Sequence, residues 1–228
     1  MNTLYTKYYC EQRSPEWFDL RNGCLTASSV SKIITPTGQS ATGKQVLDVI
    51  DSLMKGMDNQ EVKKGYVSPA MQHGTDTEDE ARAFIEFDLG VEIEQVGFVK
   101  SNITHIKDTP VNMGCSPDGI INGDDNYLLE IKCPNGSTHL SYQDKGVFPS
   151  EYKPQVQMQM YIMQAEKCLF VSYDPNAPTY SKCFYKEVQR DEEYISFLIN
   201  AIENTFKKTY EKINKLKAKP KFQLNKGE

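Results

Sequence analysis

The sequence predicts an α/β fold, a central mixed β-sheet flanked by helices. Three observations carry this. Helical patterning brackets the chain at both ends, three strand-like runs stand together in its middle, and a further helix and strand follow them. At 228 residues, 39% hydrophobic and 25% charged, the chain suits one domain spanning 1–228. Its core covers about 14–206, with a basic tail over 207–228.

Ser14-Pro15-Glu16 opens the first helix, serine as N-cap and proline at N1, and Gly23 stops it. Trp17 and Arg21, four apart, share a face. Thr26-Ala27-Ser28-Ser29-Val30 starts a second helix. Backbone N–H groups and hydroxyls opposite an arginine form a phosphate pocket, although two caps and a surface arginine explain the same residues. Gly38 to Lys44 matches GxxxxGK of a P-loop, but Gln45 stands where Ser or Thr would hold Mg²⁺. The run before it, Lys32 to Pro36, is short and ends in proline, so a flexible loop leading into a helix from Lys44 to Met57 is the better reading. That helix is apolar at 46, 47, 50, 53, 54 and 57.

A helix from Ser68-Pro69 to about Leu89 carries Met71, Ala81, Ile85 and Leu89 on one stripe, with Gly74 and Glu78 on the same stripe. A carboxylate on a core-facing stripe needs a partner or a metal; a capping box over Thr75 to Glu78 is the plainer alternative. Strand-like runs follow at Val91–Lys100, Pro110–Ile121 and Tyr127–Lys132. Pro154 to Glu166 alternates as a strand would, yet its methionines, glutamines and N-terminal proline favour a helix. On that helix Gln155 and Gln159 share a polar face, solvated by default, while Val156, Met160 and Met163 pack inward. Strands near Cys168–Tyr173 and Lys182–Gln189 and an amphipathic helix from Asp191 to about Lys217 complete the chain.

The candidate chemistry lies in Met113 to Pro134. Gly119–Ile121 and Tyr127–Ile131 flank a loop of turn residues, Asn122 to Asn126, as in a β-hairpin. Alternation sets Glu130 and Lys132 on one face, with Leu129 and Ile131 on the buried side. Asp118 opens the first strand, so the fold-back brings it beside them. Two carboxylates next to a lysine suit a hard divalent cation, with the lysine positioning water or stabilising phosphoryl charge. An ordinary surface hairpin with a Glu/Lys edge is the plain alternative; Pro117, which fixes the approach of Asp118, weighs against it.

Ser116-Pro117-Asp118 followed by Glu130-Ile131-Lys132 resembles the PD-(D/E)XK signature of restriction-endonuclease-like nucleases, whose core has this order of helices and strands. The longer strings CSPDG and LEIKCP are similar to the lambda-exonuclease, phage-type (YqaJ-like) alkaline exonuclease family. So are Trp17, Leu20-Arg21, Gly23 with Thr26-Ala27-Ser28, the run HGTDTEDEARAFIEF, and Gln155-Val156-Gln157. The resemblance covers roughly Trp17 to Tyr194 and leaves 35–66 and the tail unmatched.

That resemblance implies a Mg²⁺-dependent exonuclease, with two ions and with Mn²⁺ as a substitute. Asp118, Glu130 and the backbone carbonyl of Ile131 would hold metal, with Glu78 in the shell of a second ion. Lys132 and Gln155 would orient and deprotonate the attacking water. Arg21, Ser28 and Ser116 would receive the 5′-phosphate, with Gln155 beside it and Trp17 on the DNA end. It also implies 5′→3′ digestion of double-stranded DNA ends, a homotrimer ring and a single-strand annealing recombinase as partner. The rivals are an endonuclease or repair nuclease of the same fold, a P-loop NTPase, and a non-catalytic DNA-binding or structural protein.

Charge is a weak guide. The net charge of −5 does not advertise nucleic-acid binding, but lysines concentrate after residue 206 and leave the rest acidic. The six cysteines (10, 24, 115, 133, 168, 183) form no CxxC pair and fit reduced thiols in a cytoplasmic setting. No apolar run suits a signal peptide or a membrane span.

Overall fold

The computed structural model describes residues 4–58 and 69–218; for 69–76 it describes backbone alone. In chain order the elements are β1 (Tyr5–Tyr8), α1 (Pro15–Arg21), β2 (Leu25–Thr26), a 3₁₀ turn (Ala27–Lys32), α2 (Lys44–Met57) and α3 (Pro69–Leu89). Strands β3 (Ile93–Glu94), β4 (Phe98–Ser101), β5 (His105–Ile106), β6 (Thr109–Pro110), β7 (Met113–Cys115), β8 (Gly119–Ile121) and β9 (Tyr127–Lys132) come next. Then follow α4 (Gly136–Lys145), a 3₁₀ turn (Ser150–Tyr152), α5 (Lys153–Met163), β10 (Lys167–Tyr173), a third 3₁₀ turn (Thr179–Ser181), β11 (Cys183–Gln189) and α6 (Glu192–Lys217).

The strands make a five-stranded sheet in the order β11-β10-β9-β8-β3, a four-stranded sheet in the order β1-β4-β7-β2, and a separate β5-β6 ribbon. The β9–β10 and β2–β7 pairs are parallel and the others antiparallel, so both larger sheets are mixed. Two of the long strand-like runs are cut, Val91–Lys100 into two strands and Pro110–Ile121 into three, with the pieces in different sheets. Val91–Lys100 breaks before Gly97, where an added Cβ would collide with the Cys10 carbonyl. Pro110–Ile121 breaks at Pro117, which has no N–H to give a ladder. The chain therefore crosses between sheets immediately before Asp118.

Both faces of the five-stranded sheet are covered. Ala81 and Ile85 of α3 cluster with Leu129, Ile131, Leu169 and Val171, while Val156, Met160 and Met163 of α5 join a second cluster that includes Ile120, Leu128 and Cys168. The hairpin thus has two buried sides, not one, and Glu130 faces the α5 side with 0% exposure. Helix α5 is buried around nearly its whole circumference, a pattern no single stripe reveals. That burial also overturns the reading of Gln159 as solvated.

Other expectations fail where a helix surface meets water. Leu47 and Leu89 are exposed, and Val49 takes a buried place on α2 instead. Strand β1, the β5-β6 ribbon and α4 are elements the sequence patterning missed. The side chains of Met71 and Thr75 and the packing around Gly74, like residues 219–228 of the basic tail, lie outside what is described. Lys44 is exposed at the start of α2 with no strand leading into it, only an isolated bridge between Ile34 and Ser40. No described helix is long and apolar enough to cross a membrane, and the six cysteines are free thiols.

Candidate active site

One cavity of about 580 Å³ is lined by Trp17, Arg21, Ser28, Glu78, Ser116, Asp118, Ile131, Lys132 and Gln155. These residues come from six segments, and Glu130 lies beneath them, closed off from solvent. The hairpin brings the acids together through main-chain bonds: the Asp118 N–H donates to the Leu129 carbonyl at 3.1 Å, and the Ile131 N–H donates to Asp118 Oδ2 at 2.7 Å. The Asp118 carboxylate is thus fastened across the turn to the strand that carries Glu130.

Glu130 is held by three donors. Lys132 Nζ and Gln155 Nε2 (2.5 Å) both reach Oε1, and Gln159 Nε2 donates to Oε2 at 2.7 Å. Buried charges persist only when compensated this way. Burial, with Glu130 next and Glu78 adding to it, pushes the Asp118 carboxyl well above the usual carboxylate range. Burial also opposes the charge on Lys132, but the Glu130 and Asp118 carboxylates outweigh it and hold the ammonium above its ordinary range. Its Nζ lies 5.3 Å from the centre of the Tyr152 ring, and Tyr152 stacks on Phe170.

Glu78 is only partly exposed. Both terminal nitrogens of Arg82, one turn along α3, stand 3.3 Å from Glu78 Oε1. Arg82 also donates to Asp79 (3.0 Å) and to the Asp118 carbonyl (3.1 Å), tying α3 to the loop before β8.

The other end of the cavity is cationic. Ser14 caps α1 by accepting from the Trp17 N–H, and the helix turn sets Arg21 over the Trp17 ring, 4.0 Å from its centre. Arg21 donates to Ser28 Oγ at 3.2 Å and to Thr26 Oγ1 at 3.4 Å. No carboxylate among the described residues pairs with it, and burial lowers its pKa to about 10. It therefore stays protonated at neutral pH with an unneutralised charge facing the cavity. Thr26 and Ser29 form a capping box at the 3₁₀ turn, which is why the hydroxyls gather there. Trp17 Nε1 donates to the Gly97 carbonyl and to Ser116 Oγ, both at 3.0 Å. Ser116 gives its own proton to Gly97 O at 2.7 Å, so a phosphate bound by Ser116 would have to take over that proton.

Arg82, Tyr152 and Gln159 are site residues that the sequence reading missed. Arg82 carried a signal, its i+4 spacing from Glu78, and Gln159 carried the same spacing from Gln155. Nothing in the local pattern marks Tyr152. Among the described residues no three histidine, cysteine or carboxylate groups converge as a ready metal-ligand set. The oxygen donors present still suit Mg²⁺, which takes one or two carboxylates and keeps several waters.

The YqaJ-like viral recombinase domain model matches residues 16–166, a span that holds the residues lining this cavity except Gln12 and Arg13. Among solved structures, the chain is similar to an alkaline exonuclease (LHK-Exo) from Laribacter hongkongensis. The two are 30% identical with a TM-score of 0.75, and the match covers 90% of this chain and 96% of that one; a structure of LHK-Exo with dAMP matches equally well. A phage-related exonuclease from Haemophilus somnus shares the fold at 13% identity, with a TM-score of 0.57 and coverage of 83% and 96%. An uncharacterised protein of Acanthamoeba polyphaga mimivirus is 27% identical over 175 residues. That match takes in 71% of this chain and 29% of the viral protein, so the chain spans under a third of this curated relative's length.

Proposed function

The chain belongs to the YqaJ-like viral recombinase domain family, and from that premise we propose that it is a DNA exonuclease. In this reading it is Mg²⁺-dependent, degrades linear double-stranded DNA 5′→3′ from 5′-phosphorylated ends, releases 5′-mononucleotides and leaves 3′ single strands. One observation carries the reading: an unneutralised arginine bonded to the Ser28 hydroxyl, and the Asp118 carboxylate with the Lys132 ammonium, line the same cavity. Cleavage chemistry beside a fixed anion pocket is what trimming from a phosphorylated end requires.

Asp118, Glu130 and the Ile131 carbonyl would hold Mg²⁺, with Glu78 in the shell of a second ion through the oxygen that Arg82 leaves free. The cation would supply Lewis acidity and offset the burial, and after it the repulsion from Glu130, that raise the Asp118 pKa. Lys132 carries its proton on Nζ in the metal-free arrangement; with the cation bound it would orient water and stabilise phosphoryl oxygens, and would act as a base only as the charges beside it are neutralised. Gln155 leaves Glu130 Oε1 to help hold that water. Arg21 and Ser28 fix the terminal phosphate, and the Trp17 ring, locked by its indole bonds, gives the DNA end a flat stop. A homotrimer ring around the duplex and a single-strand annealing partner for the 3′ tail complete the proposal, with family membership as their support.

The test is digestion of 5′-phosphorylated linear duplex with Mg²⁺, beside EDTA and covalently closed circular DNA. Linear DNA should shorten only with metal while circles stay intact. Nicked circles would replace this reading with the endonuclease one, and equal rates on 5′-hydroxyl ends would remove the phosphate pocket.

A further inference from the structure

Helix α5 carries two fully buried glutamines of opposite character. Gln157 satisfies both ends of its amide: Nε2 donates to the Gln189 carbonyl and Oε1 accepts from the Asp191 N–H, each at 2.9 Å. Those bonds join α5 to the link between β11 and α6, and they are structural. Gln159, two residues on and 0% exposed, does not follow suit. Its Nε2 donates to Glu130 Oε2 at 2.7 Å, but its Oε1 is buried with no hydrogen-bond partner. A carboxylate can only accept, so the amide must turn its nitrogen to Glu130 and its oxygen away. A glutamine serving the fold alone would settle both ends, as Gln157 does, because a buried unsatisfied acceptor costs about 1–3 kcal/mol. Gln159 also lines the cavity, so the orientation that leaves its oxygen unpaired is kept at the site.

The three donors on Glu130 are not equivalent. Lys132 and Gln155 are partly exposed and meet at Oε1; Gln159 is fully buried and meets Oε2 alone. The donors on Oε1 can swing into the cavity when something else claims that oxygen, whereas the donor on Oε2 has nowhere to go.

We propose that Gln159 is the positioning residue for Glu130: it pins Oε2 from the buried side and so presents Oε1 to whatever the cavity binds. This rests on the nuclease reading above, and it specifies which carboxylate oxygen meets a divalent cation. Partners that orient metal-ligating carboxylates are worth about 10- to 100-fold in metal affinity or activity.

The test compares wild type, Gln159→Met and Gln157→Met, by calorimetric titration with Mg²⁺ in the absence of DNA and by steady-state digestion of 5′-phosphorylated duplex. Gln159→Met should weaken Mg²⁺ binding and lower kcat, each by about tenfold or more, with KM for DNA unchanged. Gln157→Met should lower the melting temperature and leave Mg²⁺ affinity as in wild type. Wild-type Mg²⁺ affinity and kcat in folded Gln159→Met would overturn the proposal while leaving the nuclease reading intact. A wild type that neither binds Mg²⁺ nor cuts DNA overturns both. Should Gln159→Met fail to fold, the side-chain amide ¹⁵N signals of the wild-type protein decide: the Gln159 signal should move on Mg²⁺ addition and the Gln157 signal should stay. An unmoved Gln159 signal overturns the proposal.

Discussion

Replacing Arg21 with methionine separates what the anion pocket does for function from what it does for stability. Burial takes the guanidinium from its reference pKa of 12.5 to about 10. At about 1.4 kcal/mol per pH unit, holding that charge costs roughly 3 kcal/mol. No described carboxylate offsets it; the bonds to Ser28 and Thr26 and the stack on Trp17 return part of it. Methionine keeps an apolar chain over the indole and removes the charge, so the melting temperature of Arg21→Met should be unchanged or higher. Its binding of a terminal phosphate should lose one charge-assisted contact, about 1.5–3 kcal/mol, or roughly 10- to 150-fold. The assay is the ratio of digestion rates on 5′-phosphorylated and 5′-hydroxyl duplexes, read beside a thermal melt. The ratio should fall toward one in a fully folded variant. A variant that keeps the wild-type ratio refutes the pocket, and one that melts well below wild type refutes the claim that Arg21 is held at a cost.

Lys132→Ala and Glu130→Gln should each lower kcat by at least about 100-fold while DNA binding persists in EDTA; near-normal turnover in either would remove them from the chemistry. Asp118 makes metal dependence and pH dependence one effect. Its pKa is raised on folding, so the metal-free folded state holds the proton more tightly than the unfolded chain does. Metal-free stability should therefore decline as pH rises above the ordinary carboxylate range, and Mg²⁺ should reverse the decline by favouring the ionised form. Melts with and without Mg²⁺ should show a larger stabilisation at about pH 8 than at about pH 5; a pH-independent effect contradicts this. Gly97→Ala should cost about 1–3 kcal/mol or more, because the new Cβ meets the Cys10 carbonyl. It should also weaken 5′-phosphate preference, since the Gly97 carbonyl anchors Trp17 and Ser116; a wild-type melt would show that the backbone yields there.

Local chemistry was legible in the sequence. Ser14 and Pro15 announced α1, the turn residues 122–126 announced the hairpin, and helix spacing put Arg21 over Trp17. Each is a short-range effect fixed by a few neighbouring residues. The two long strand runs were misjudged because a strand's membership in a sheet depends on partners distant in sequence. Gly97 and Pro117 mark the breaks, yet neither says that the chain then changes sheet. Gln159 was misjudged for a related reason. Its polarity suggests water, and only the packing of α5 over β9 shows that its neighbour is a buried carboxylate.

The sequence by itself therefore determined which residues could do the chemistry and which of them lie close along the chain: Asp118 with Glu130 and Lys132 across one turn, Trp17 with Arg21 on one helix. The tertiary structure decided that these two groups line the same cavity, that Glu130 sits dry beneath α5, and that Arg82 and Gln159 hold the acids in place. The division has a physical cause. Hydrogen-bonded turns and helix faces are set within a few residues, whereas burial, and with it the raised pKa of Asp118, exists only once separate segments exclude water together.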